Sequence, residues 1–245
     1  MLEVIYQDDY VIAINKPEGL LVHRSPIDKH ETRFALQLLR DQIGQKVYPV
    51  HRLDKPTSGV LLFALSSDIA RKLTEQFTQG NISKQYLAIV RGHCAPHGVI
   101  DYPLQEQLDR LADALADPNK PAQEAITHYH TLAQTELPFA VGRYATARYS
   151  LVALKPLTGR KHQLRRHMKH IFHPILGDTT HGDGKHNQFI RQEFACQRLL
   201  LHAARLTLIH PYTEQPLVLN ASLSDEFTQV LANMRLEHSG LWLGL

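Results

Sequence analysis

His51-Arg52-Leu53-Asp54-Lys55-Pro56-Thr57-Ser58-Gly59 is the stretch that decides how this chain is read. It sets one carboxylate, Asp54, among His51, Arg52 and Lys55, which are cationic or become so on protonation. Pro56 biases Lys55 away from helix, towards an extended or turn shape. Thr57-Ser58-Gly59 reads as the end of a tight loop, followed by the apolar strand Val60-Leu61-Leu62-Phe63-Ala64-Leu65. Nearby positive charge favours the ionised form of a carboxylate fixed in such a loop. It is then fit to act as a nucleophile or a base. A lone loop aspartate, by itself, is more often a turn former that satisfies backbone N–H groups.

Outward from this loop, Leu2 to Lys16 reads as two short strands joined at Asp8-Asp9, and Asn15-Lys16-Pro17-Glu18-Gly19 as a second turn. Phe34, Leu38, Leu39 and Ile43 have helical spacing and stop at Gly44. Ser67 caps a helix through Gln79, with Ile69, Leu73 and Phe77 on one face. Lys84–Val90, Ala125–Leu132 and Arg148–Leu154 read as strands, and Leu108 to Pro121 as a helical turn plus surface loop. Thr158-Gly159 turns into a basic helix from about Lys161 to His170. A helix near Asn187–Ala195, strands Arg198–Ile209 and Pro216–Asn220, and a last helix capped by Ser224 complete the chain. Strands sit beside one another without regular β-α alternation. The expected class is therefore α+β, with a mixed, largely antiparallel sheet flanked by helices.

A chain of 245 residues is long enough to bury a full core. No apolar run reaches membrane-span length, and the N-terminus has neither basic nor apolar signal regions. Cys94 and Cys196 match no redox or metal spacing, which fits a reducing cytoplasm. The net charge of +3 is modest, but its distribution is one-sided. Between Glu136 and Asp178 there is no acid, while Arg143, Arg148, Lys155, Arg160, Lys161, Arg165, Arg166 and Lys169 fall in that interval. A one-signed block points to a polyanion such as a phosphate backbone. His162, His167, His170 and His173 share the block, but without an HExxH pattern or a nearby Cys or acidic ligand they imply no metal. Hydrogen bonding to phosphate or ribose suits them better.

HRLDKPTSG resembles the active-site motif of the RluA-like family of pseudouridine synthases. Four further segments resemble that family in order: Asn15–Gly19; Ser83-Lys84-Gln85-Tyr86-Leu87-Ala88-Ile89-Val90-Arg91-Gly92; Gly159-Arg160-Lys161-His162-Gln163-Leu164-Arg165-Arg166-His167-Met168 with Pro174–Asp178; and Arg198-Leu199-Leu200-Leu201-His202-Ala203 with His210-Pro211. The resemblance implies a pseudouridine synthase catalytic fold with its cleft across the sheet. It also implies isomerisation of uridine in RNA, which is redox-neutral and needs no cofactor. Asp54 would be the catalytic carboxylate, Tyr86 the stacking face for the detached base, and Arg165 a bidentate clamp on Asp54. Without the resemblance, Tyr86 reads first as a core tyrosine in a strand, and Arg165 equally as a phosphate-binding arginine.

Arg52 would fill the space left by the flipped base. His51, Arg160, Lys161, Arg166 and Lys169 would contact RNA, and Leu201 would pack beneath Tyr86. The chain begins at the first catalytic strand, so a single domain spanning 1–245 without an N-terminal S4-type module is expected. Insertions at Asp101–Thr127 and in the histidine-rich stretch Arg165 to Asn187, together with Asp41-Gln42-Ile43-Gly44-Gln45, resemble most the branch of the family acting on uridine 65 of tRNA. A ribosomal RNA target and a non-catalytic RNA-binding protein are the alternatives. The expected partner is RNA, with neither membrane nor obligate protein partner.

Overall fold

The structure is a computed structural model that describes residues 1–23, 31–106 and 121–236. The helical turn and loop expected at Leu108 to Pro121 lie, but for Pro121, outside the described residues. The described chain runs β1 (Glu3–Gln7), β2 (Val11–Lys16), α1 (Ala35–Ile43), β3 (Tyr48–Pro49), β4 (Ser58–Ala64), α2 (Ser67–Gln79), β5 (Ser83–Arg91) and β6 (His97–Asp101). It continues with β7 (Ile126–Leu137), β8 (Ala147–Pro156), α3 (Gln163–His170), α4 (Gly184–Phe194), β9 (Leu201–Ile209), β10 (Pro216–Asn220) and α5 (Asp225–Asn233).

The strands form one sheet in the order β1-β2-β4-β9-β5-β8-β7-β6, with β10 paired to β9 and β3 to β4. Every pairing is antiparallel except β4 with β9, which run parallel over Ser58↔His202 and Gly59↔Ala203. The α+β architecture expected from the sequence is therefore present.

Central strands are buried on both faces, so both faces carry apolar residues, which sort by the strand period of two. Ile12 and Ile14 of β2 pack with Leu39 of α1, whereas Val11 and Ala13 pack with Ile69 and Leu73 of α2. Likewise Ala88 and Val90 of β5 pack with Leu164 and Met168 of α3, whereas Leu87 and Ile89 join Ile190 of α4 and Phe227 of α5. Tyr86 touches both the α1 and the α3 clusters. It thus stands at the junction of those two clusters.

Local chemistry sets the element ends. Ser66, one residue before the expected cap, accepts from Ile69 N–H, and Gly80 closes α2 in the left-handed conformation. Ser224 caps α5 by accepting from Phe227 N–H. Basic helix α3 starts at Gln163 rather than Lys161, because His162 stands at the cap with φ +55°. β9 starts at Leu201 rather than Arg198, whose side chain is committed to buried hydrogen bonds. β6, whose residues alternate weakly, was not legible from sequence.

Gly59 and Gly177 combine a left-handed backbone with close approach to a neighbouring main chain. Gly59 (φ +114°) would place a Cβ 2.1 Å from the Ala203 carbonyl oxygen, so its absence lets β4 reach β9. Gly177 (φ +77°) would place one 1.8 Å from the Arg198 carbonyl oxygen. Gly177→Ala therefore meets both backbone strain and backbone overlap, and should cost about 2 kcal/mol or more. Gly184→Ala, with nothing within 4 Å of the added atom, should be neutral or stabilising. Thermal unfolding followed by circular dichroism checks the pair. Equal melting temperatures would show that Gly177 is not under this constraint.

Candidate active site

Asp54 lies in the loop that leads into β4. Leu53 is buried in the α1 cluster, and the Asp54 carbonyl accepts from Thr57 N–H at 3.0 Å, closing a turn over Lys55-Pro56. An inward leucine followed by a tight turn leaves the Asp54 side chain facing out over the sheet, 27% exposed.

The loop is fastened from several sides. Lys16, fully buried at the end of β2, donates from Nζ to the carbonyls of Pro17 (2.8 Å), Leu20 (2.8 Å) and Lys55 (3.2 Å). Burial drags this amine down to about 7, against the pull of Glu18 and Asp54. Three carbonyl acceptors nevertheless call for three N–H groups, so the geometry holds the ammonium form. Ser58 receives Arg198 Nη2 and lies 2.8 Å from His202 Nδ1. His202 Nε2 faces the Ala221 carbonyl at 3.1 Å. A carbonyl only accepts, so Nε2 carries the proton and Nδ1 accepts from the Ser58 hydroxyl.

Arg165, on α3, is 4% exposed. It clamps Asp178 with two bonds, Nε to Oδ2 at 2.7 Å and Nη2 to Oδ1 at 2.8 Å. Its Nη1 donates to Asp54 Oδ2 at 3.3 Å. The bidentate partner is thus Asp178, and Asp54 takes a single, longer contact. This corrects the expected clamp. Asp178 also accepts from the Thr180 and His181 N–H groups on Oδ1, at 2.9 and 2.8 Å. Asp178 lay within a quoted motif, but sequence gave it no partner. The signal was available: a buried arginine needs a carboxylate, and Asp178 is the first acid after the basic block.

Tyr86 sits on β5, where the register with β9 shifts between Gln85 and Tyr86. Such a bulge re-aims a side chain. Burial, with the Asp54 charge adding, pushes the phenol well above its ordinary range, so it is a neutral ring. Leu201 lies on the same sheet face, across from Ala88 and diagonal to Tyr86, and packs in the cluster Tyr86 touches.

His162 Nε2 is 3.9 Å from Asp54 Oδ2, and its Nδ1 is 3.0 Å from His181 Nε2. Burial, with Arg165 and Lys161 assisting, lowers His162 despite the opposing pull of Asp54 and Asp178; burial, against Asp178, holds His181 at about 4. This neutral pair beside the carboxylate was not foreseen.

The other histidines disperse. His167 Nε2 faces the Tyr102 carbonyl at 3.0 Å, His170 stacks on Tyr102, and His173 Nδ1 faces the Arg91 carbonyl at 2.8 Å. His167 and His173 are thereby committed to the backbone and not to phosphate. Among the described residues no His, Cys, Asp or Glu group assembles as a metal ligand set.

The sequence model for RNA pseudouridylate synthases matches residues 10–170, which include Asp54, Tyr86 and Arg165. The chain belongs to the RNA pseudouridylate synthases. It is an isomerase that converts uridine in RNA to pseudouridine. It is 56% identical over 239 residues to a Vibrio cholerae protein named tRNA pseudouridine synthase C, covering 98% of each chain. A Yersinia pestis protein of the same name is 60% identical over 221 residues, covering 90% of this chain and 86% of that one. The solved human RNA pseudouridylate synthase domain containing 4 superposes with TM-score 0.69 at 28% identity, covering 95% of this chain and 93% of that one.

Against the outward set expected for such a synthase, His51 is a correction. Its Nε2 accepts from Leu62 N–H at 2.9 Å and its ring stacks on Phe77 at 5.0 Å. Burial, with Lys84 adding, holds it at about 3, so it is a neutral latch between the loop and β4 rather than an RNA contact. Arg52, Arg160, Lys161 and Lys169 are exposed, and Arg166 half-buried.

The titration of the site predicts its acid limb. His51 and His202, at about 3 and 4, stay neutral in the fold while the unfolded chain takes up protons below 6.5. Stability therefore starts to fall as pH drops through 6.5. Burial pushes Asp178 up, but the Arg165 hydrogen bonds and the His181 and Thr180 donors outweigh it, leaving it below 3.8. Its contribution is complete above the unfolded value and is lost as pH falls through the folded one. His202→Gln should flatten the melting-temperature profile between pH 6.5 and 4, and Asp178→Asn should cost about 3–5 kcal/mol at pH 7. A profile that is level from pH 7 to 4.5 would contradict the buried-neutral assignment.

Proposed function

We propose that this synthase isomerises uridine 65 of tRNA with Asp54 as its catalytic carboxylate, working in the cytoplasm as a single catalytic domain. The observation that carries the reading is how Asp54 is held. One oxygen meets Arg165 at 3.3 Å, and the carboxylate remains 27% exposed, so it is aimed yet not consumed by the clamp. The tRNA target is supported by near-full-length likeness to proteins named tRNA pseudouridine synthase C.

Isomerisation breaks the N1–C1′ bond, turns the uracil and joins C5 to C1′. C5 loses a proton and N1 gains one, so atoms and electrons balance without a co-reactant. Asp54 fits three roles: adding to C1′, adding to the base, or taking a sugar proton and returning it. Tyr86, a neutral ring supported by Leu201, holds the loose base by its face, which tolerates rotation in plane. Arg165 fixes Asp54 in position. Arg52 occupies the space that the extruded base leaves. Arg160, Lys161, Arg166 and Lys169 meet phosphate. The partner is RNA, and neither a membrane nor an obligate protein partner enters the reading; no described helix is long and apolar enough to cross a membrane.

The test is pseudouridine formation on tRNA transcripts and ribosomal RNA fragments, read by carbodiimide labelling and primer extension. Wild type should modify the tRNA at one uridine, and Asp54→Asn should give no product above the no-enzyme control while keeping its affinity. Neutralising two of Arg160, Lys161, Arg166 and Lys169 should weaken binding and lower the salt slope by about 2, with single-turnover rate at saturation preserved. Efficient modification of ribosomal RNA alone would overturn the target. Turnover by Asp54→Asn would overturn the assignment of the carboxylate.

A further inference from the structure

Helix α3 turns Leu164, Arg165 and Met168 inward and carries Arg166, Lys169 and His170 on its other side. The His170 ring lies on the Tyr102 ring, with centroids 3.7 Å apart and planes 17° apart. Tyr102 follows β6 directly and is 43% exposed; His170 is also exposed. Each ring spends one face on the other, so the exposure lies on outer faces and edges.

The stack rests on a rigid buried base. His167 Nε2 must donate to the Tyr102 carbonyl, because a carbonyl only accepts, and its Nδ1 then accepts from the Thr127 hydroxyl at 3.0 Å. Gln163 Nε2 donates to the same hydroxyl oxygen at 3.1 Å, and Tyr102 N–H donates to the Ala125 carbonyl at 3.2 Å. The backbone of Tyr102 is thus tied both to α3 and to the start of β7.

We propose that the Tyr102–His170 stack is a platform for an unpaired RNA base other than the uridine being isomerised. The proposal rests on the reading that the chain acts on RNA. Every nucleobase has a π-face, and stacking on an aromatic ring is indifferent to sequence. Arg166 and Lys169, on the same helix, supply the positive charge that phosphates flanking such a base require, and Asp101 is the acid beside Tyr102. Arg165 and His170 are five residues apart, which is about 140° around the helix. The platform and Asp54 therefore face different sides of α3, and one base cannot occupy both. Extruding a uridine unstacks the bases around it. A flat ring surface nearby gives one of those bases a new stacking partner.

The experiment measures the Kd of a fluorescently labelled tRNA transcript across a salt series for wild type, Tyr102→Ala, Tyr102→Phe, His170→Ala and Lys169→Gln. Tyr102→Ala should raise Kd by about 5- to 100-fold. Tyr102→Phe should stay within about twofold, since it keeps the ring. The slope of log Kd against log salt should be unchanged in Tyr102→Ala and lowered by about 1 in Lys169→Gln. His170→Ala, an exposed change that favours helix, keeps the test open if Tyr102→Ala unfolds, and should also weaken binding. Wild-type affinity in both alanine variants overturns the platform. So does a Phe variant as weak as the Ala variant, or an Ala variant with a reduced salt slope. The assay compares variants with wild type by affinity alone. Failure of wild type to modify tRNA would therefore count against the proposed target and leave the platform to be judged on Kd.

Discussion

The buried pair of Arg165 and Asp178 is the interaction on which the rest of the site depends. Removing both charges from water costs several kcal/mol per ion, and only good geometry with full hydrogen bonding repays it. Here every nitrogen of the guanidinium and both oxygens of the carboxylate have a partner. Asp178 accepts two guanidinium bonds and two backbone N–H bonds, and its own carbonyl receives Gly182 N–H and the Asn187 amide. The third arm of the guanidinium is left for Asp54. An arginine held rigidly at one carboxylate thereby becomes a fixed reference for a second. A lysine, with a compact charge on a flexible stem, supplies no such planar fork.

The loop bearing Asp54 is positioned by an independent set of bonds. Lys16 binds the Lys55 carbonyl from the first turn, Arg198 and His202 hold Ser58 from the last strand, and His51 binds back onto β4. These groups come from positions far apart in the chain: Lys16 from the first motif, His51 from the second, and Arg198 and His202 from the last. The motifs therefore act together in this fold. No one of them builds a site, because each supplies a partner for a polar group that another buries. Burial explains the neutrality of the histidines. A protonated ring at His51 or His202 would add charge with no facing carboxylate, so burial keeps both as hydrogen-bonding hinges.

Legibility divides along the same line. The strands and helices were readable because their apolar residues follow periods of two and 3.6, and because Ser224 and Gly44 mark ends chemically. Asp54, Tyr86 and Arg165 were singled out only through the resemblance of their motifs to the family, since by residue type alone each kept a plain structural reading. Two kinds of information were not. Pairings across sequence, such as Arg165 with Asp178, depend on which buried charge lacks a partner, and that is decided only once burial is known. The orientation of a ring is likewise invisible. His51 sits in the motif beside exposed Arg52, and only the alternation of the loop sends one inward and the other out. Weakly patterned β6 escaped because an edge strand buries little.

Helix α3 shows how these constraints combine. Its inner side is fixed by Leu164 and Met168 against the sheet and by Arg165 against two carboxylates. Its outer side is then not free to vary in position, only in chemistry, because the helix cannot rotate without breaking a buried ion pair. The backbone positions that carry Arg166, Lys169 and His170 are therefore fixed relative to Asp54. In such an arrangement binding energy gathered on the exposed side is delivered to a geometry already fixed on the buried side. The cost of orienting Asp54 against Arg165 is met during folding.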